Sequence, residues 1–117
     1  MPARDYQTRH WFRRVINESR LKILLHEHGN SAALHFALGN LYAGQSRWGE
    51  AHQAYFNAYT LEPGKAAVTH NLAVSLDHLG QRKSAARHYQ NAMQLDQSNS
   101  AGFDHEQISQ RISELIF

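Results

Sequence analysis

Nine histidines in a 117-residue chain are the first residues to test for chemistry, because imidazole is both a metal ligand and a proton carrier near neutral pH. Two imidazoles share one helical face only at a spacing of three or four. No pair has that spacing: His26 and His28 stand two apart and the others lie farther from one another. Structural or surface histidine is the expected reading, and no metal site is expected. The chain has no cysteine, which excludes disulfides, cysteine-ligated zinc and thiol catalysis. Ser75, Asp77 and His78 are the residue types of a nucleophilic triad but lie too close in sequence to read as one. No glycine-rich phosphate loop occurs. These residues point away from catalysis and from a bound cofactor.

Positive charge is the second candidate. The net charge is only +2, from 12 basic and 10 acidic residues, yet Arg4, Arg9, Arg13, Arg14, Arg20 and Lys22 all fall in the first fifth of the chain. Arg9, Arg13 and Arg20 would share a helical face beside Trp11 and Phe12, a pattern suited to nucleic acid or anionic lipid. The solvated face of an amphipathic helix is the favoured account, so no nucleic-acid partner is expected. No apolar run reaches the ~20 residues of a membrane span, and the start "MPARDYQTRHWF" lacks the apolar centre of a signal peptide. A cytoplasmic location is expected, or a periplasmic one if the chain belongs to a longer anchored protein.

With 42% hydrophobic and 19% charged residues and two prolines, the composition fits one folded, helix-rich domain. Its organisation comes from a repeat. At an offset of 34, Ala32–Lys65 falls on Ala66–Asn99 without a gap. Eight pairs are identical: Ala32/Ala66, Ala33/Ala67, Leu38/Leu72, Ala51/Ala85, Tyr55/Tyr89, Asn57/Asn91, Ala58/Ala92 and Leu61/Leu95. Unrelated segments would share roughly two. Gly39/Ala73 keeps small size. Each unit reads as two helices. In the first unit Leu34, Leu38, Leu41 and Tyr42 mark one helix, "AGQS" a break, and Arg47 to Leu61 a second helix striped by Ala51, Tyr55, Ala58 and Leu61. Pro63-Gly64 ends it. In the second unit "LGQ" (Leu79 to Gln81) precedes Ala85, Tyr89, Ala92 and Leu95. Short connections make the helices antiparallel. Glycine and alanine on the inward stripe predict close approach: Gly39 against Ala51 within a pair, Ala58 and Ala92 between pairs.

The first unit, His35-x2-Leu38-Gly39-x2-Tyr42 followed by Ala51-x3-Tyr55, Ala58 and Pro63, resembles the tetratricopeptide signature, with histidine at the tryptophan place. In the second, Leu72, Ala73, Ala85, Tyr89 and Ala92 fit, while Thr69, Leu76 and Gln97 depart from it. Two repeats are fewer than the three a stable stack needs, so the flanks are expected to complete it. Upstream, Trp11, Phe12, Val15, Ile16, Ile23, Leu24 and Leu25 form a stripe. Downstream, Asp104 and Gln107 suggest a capping box before Ile108, Ile112, Leu115 and Ile116, similar to the family's capping helix. The expected fold is an all-α, right-handed helical-hairpin array of about six helices: N-terminal helix 1–31, repeats 32–65 and 66–99, capping helix 100–117.

The resemblance implies a monomeric, non-catalytic scaffold whose concave groove holds a partner peptide or helix. The groove residues it implies are Phe36, Asn40, His70, Asn71, Val74, Asp77 and His78. Asn40 and Asn71 match asparagines that bond a peptide main chain in chaperone-binding members. Phe36 stands where those members carry a carboxylate-binding lysine, so an acidic chaperone tail is not the implied ligand. "NLAVSLDHLGQ" with "FDHEQISQRISEL" is also similar to bacterial tetratricopeptide proteins of pilus biogenesis, which implies assembly of a multiprotein complex. The rival readings are a nucleic-acid or lipid binder using the basic first helix, and an oligomerisation module using the flanking helices.

Overall fold

A computed structural model describes residues 17–117. The chain is all-α, with six helices among the described residues: α1 (17–28), α2 (Ala32–Gly44), α3 (Trp48–Leu61), α4 (Ala66–His78), α5 (Arg82–Leu95) and α6 (His105–Ile116). Each packs antiparallel against its neighbours in sequence, α2 on α3, α3 on α4, α4 on α5 and α5 on α6. Both bounds of α4 lie 34 residues beyond those of α2, and both bounds of α5 lie 34 beyond those of α3. No described helix is long and apolar enough to cross a membrane.

Local chemistry sets the ends. The Ser31 hydroxyl accepts from Leu34 N at 3.2 Å and caps α2. The α2–α3 and α4–α5 turns close with the same backbone bonds, Arg47 N to Tyr42 O and Gln81 N to Leu76 O, both 2.9 Å. The Asp104 carboxylate caps α6 by accepting from Glu106 N and Gln107 N.

The core is built on small residues. Ala51, Ala58, Ala73, Ala85 and Ala92 are completely inaccessible, and Leu38, Tyr42, Tyr55, Leu72, Leu76 and Tyr89 share one cluster with Ala51, Ala73 and Ala85. The sequence placed Gly39 against Ala51; the side chain nearest to it is that of Tyr55. A β-carbon placed on Gly39 would stand 2.5 Å from two ring carbons of Tyr55. The antiparallel run of α3 lays the Tyr55 ring over Gly39, so the missing side chain makes room for an aromatic ring. His35, at the tryptophan place, is half-buried at the wall of a pocket.

The flanking helices join this core through only part of the predicted stripes. Leu21 and Leu25 of α1 pack on it, whereas Ile23 is 56% exposed. Ile108, Ile112 and Leu115 are buried on α6, while Ile116 is 53% exposed. In both cases the helical phase turns one predicted residue outward. Trp11, Phe12, Val15, Ile16, Arg9 and Arg13 lie outside the described residues; Arg20 is exposed. Glu18 anchors α1: it accepts from the Tyr42 hydroxyl at 3.1 Å and pairs with Arg47 and Lys22. The Arg47 guanidinium holds the Glu18 carboxyl below its usual pKa.

Candidate binding face

The α2/α4 face carries a continuous polar and aromatic line. Tyr55 reaches past Gly39 from α3, and its hydroxyl donates to Asn40 Oδ1 at 2.7 Å. Burial pushes that hydroxyl's pKa up to about 12, which keeps it a donor. Asn71 Nδ2 donates to the same oxygen at 3.0 Å, bridging α4 to α2. The Asn71 oxygen in turn lies 3.1 Å from His70 Nδ1, and an accepting oxygen requires the proton on that nitrogen. Burial lowers the His70 pKa, so the ring is neutral at pH 7, with the Asn71 bond opposing part of the shift.

Aromatic contacts run beside this chain of amides. The Phe36 ring lies 5.9 Å from Tyr55, and His70 lies 6.0 Å from Tyr89 at a similar tilt. These two pairs are themselves 34 residues apart. His70 stacks on Phe103 at 4.5 Å, and Phe103 on His105 at 5.5 Å. His105 Nε2 donates to the buried Asp96 carboxylate at 3.0 Å. Asp96 also accepts from Ser100 N and Ala101 N, which shapes the α5–α6 loop. Its carboxyl is held below the usual range, chiefly by the His105 bond.

Of the seven groove residues the sequence suggested, Phe36, Asn40, His70 and Asn71 come together here. Val74 is half-buried and packs on the core. Asp77 is committed to α6: Arg111 donates to both its oxygens, at 2.8 and 2.6 Å, and the Tyr89 hydroxyl to one at 3.1 Å. Arg111 holds the Asp77 carboxyl below its usual pKa. His78 turns to α3, where it stacks on Trp48 with centroids 3.8 Å apart and planes 3° from parallel. Ser75 is buried and its hydroxyl donates to Leu72 O. The Ser75, Asp77 and His78 side chains therefore take three separate sets of partners. Among the described residues no three His, Asp or Glu side chains are placed to hold a metal ion.

Sequence reasoning missed Phe103, His105, Asp96 and Arg111. All four act between α6 or its preceding loop and an earlier helix. The only signal available was the placement of aromatic and charged residues around Asp104.

The Asn40 oxygen receives two donors, yet neither N–H of its amide has a partner among the described residues. Asn71 has one N–H similarly unspent. The face thus offers donors beside an aromatic surface.

No family model matches the chain, and no curated protein sequence is similar to it. Among solved structures, the solution structure of protein BPP2914 from Bordetella parapertussis has a similar fold. It matches with a TM-score of 0.67 at 20% identity, over 85% of this chain and 86% of that one. At this identity the likeness is one of fold.

Proposed function

We propose that the chain is a tetratricopeptide-type array and a non-catalytic scaffold that holds an extended partner peptide or helix on its α2/α4 face. The observation that carries this reading is the set of unspent amide N–H groups on Asn40 and Asn71, fixed by the Tyr55 and His70 bonds and flanked by Phe36. Fixed donors suit main-chain carbonyls, which every peptide presents, and an aromatic neighbour adds apolar contact. The 34-residue recurrence of helix bounds, turn bonds and aromatic pairs supports the array. Helices α1 and α6 supply the stacking that two repeats lack.

Because Asp77 and His78 are engaged within the chain, the working face is Phe36, Asn40, His70 and Asn71. Affinity capture with wild-type protein and with the Phe36→Ala/Asn40→Ala double variant tests the proposal. A bound protein lost from the double variant, with the helical spectrum unchanged, supports it. Equal capture by both discards it.

A further inference from the structure

Two pockets share corresponding positions of the repeat. One, of about 210 Å³, is lined by Leu25, Gln53, Ala54 and Asn57 among others; the other, of about 350 Å³, by Tyr59, Arg87, His88 and Asn91 with Gln90 and Gln94. Each of the first four residues of the second pocket lies 34 positions after its counterpart in the first. The four shared positions therefore carry different chemistry; the first pocket also takes in His35, Leu38 and Tyr42 of α2, whose counterparts on α4 do not line the second. The first is largely apolar and includes Glu50, which pairs with Arg47. At the Glu50 place the second unit has the neutral Ser84, and at the Gln53 place it has Arg87.

Charge gives the second pocket its direction. Helix α5 carries Arg82, Lys83 and Arg87 and not one acidic residue, and Arg82 and Lys83 stand at its positive, N-terminal end. Among the described residues no acid lines the pocket. Among the described residues Arg87 has no ion-pair partner. His88 is fixed: its Nδ1 donates to Ser84 O at 2.8 Å, Nε2 has no partner among the described residues, and its ring meets Tyr59 edge-on at 5.8 Å. The amides of Gln90, Asn91 and Gln94 lie along the same wall.

We infer that this pocket between α3 and α5 is a second docking site, separate from the α2/α4 face, and that it takes an acidic peptide segment. Arg87 holds a carboxylate, the three amides bond the peptide main chain, and the Tyr59–His88 wall packs an apolar or aromatic neighbour. A guanidinium suits a carboxylate through paired N–H donors.

Fluorescence anisotropy at low ionic strength tests this, using a labelled octapeptide of alternating glutamate and tyrosine and a lysine–tyrosine control. The glutamate peptide is expected to bind saturably and the lysine peptide not. Arg87→Gln should weaken binding about tenfold, whereas Arg20→Gln, the same change of net charge on α1, should change it by no more than about twofold. The Phe36→Ala/Asn40→Ala variant should bind the peptide as wild type does, which separates this site from the proposed groove. Absence of saturable binding overturns the inference, as does equal loss in the Arg87 and Arg20 variants. Loss in the Phe36/Asn40 variant alone would place the peptide on the other face and overturn it too. So would tighter binding of a single-stranded oligonucleotide of equal charge, with the same dependence on Arg87.

Discussion

Ser46 and Gly80 hold the same place in the α2–α3 and α4–α5 turns: both have positive φ, 57° and 78°, and both donate their N–H three residues back at 3.0 Å. A left-handed backbone costs a side-chain-bearing residue about 1 kcal/mol, a cost glycine avoids. Ser46→Gly is therefore expected to stabilise the protein by about 0.5 kcal/mol after glycine's larger unfolded-state entropy is counted. Gly80→Ala should destabilise it by about 1 kcal/mol. Urea unfolding of the two variants checks both signs.

Gly39→Ala reverses the usual helix rule. Alanine gains about 1 kcal/mol of helix propensity over glycine, but its β-carbon collides with the Tyr55 ring. Overpacking of this kind costs about 1–3 kcal/mol, so a net loss is expected. Ala58→Leu, at a position with no accessible surface, should lower the melting temperature by several degrees for the same reason. A Gly39→Ala melting curve at or above wild type would refute the contact.

Asp77 is where α6 is tied to α4. Removing Arg111 leaves a half-buried carboxylate with only the Tyr89 hydroxyl. Arg111 is itself 45% exposed, so solvent screening keeps the loss from Arg111→Met small. The effect should be concentrated in α6, and amide exchange measured by helix is the appropriate readout.

Stability should fall on mild acidification. Burial lowers the pKa of His35, His52 and His70 in the folded chain, with the charge of His88 adding to the effect on His52. Their unfolded values lie near 6.5, so the unfolded state binds more protons below that pH and folding weakens as pH drops through it. The paired carboxylates behave likewise at lower pH. Asp77, Asp96 and Glu18 have depressed folded values, so their contribution, complete above about pH 4.5, is lost as pH falls below it. Thermal melts from pH 7.5 to 5.5 should show the first decline, and His70→Phe should reduce its slope.

The positions that sequence made legible were those whose neighbours repeat. Ala51/Ala85 and Ala58/Ala92 were readable as buried because small residues recur at one spacing, and the turns because glycine and proline interrupt a helical stripe. The outward positions of Ile23 and Ile116 were not, since helical phase near an end is set by what the end packs against. The asparagines of the candidate face were legible through the resemblance alone. Their bridge to Tyr55 required the helix crossing that brings α3 over Gly39. Asp77 and His78 looked equally available, because nothing local to α4 announces an arginine 34 residues away or the stacking Trp48.

The last helix is fastened at three levels. At its start His105 grips Asp96, midway Arg111 grips Asp77, and at its end Arg82 donates to the carbonyls of Glu114 and Leu115 at 2.7 and 3.2 Å. The C-terminal turn of α6 is thus held by the first residue of α5, which supplies donors to carbonyls that a helix end otherwise leaves unsatisfied.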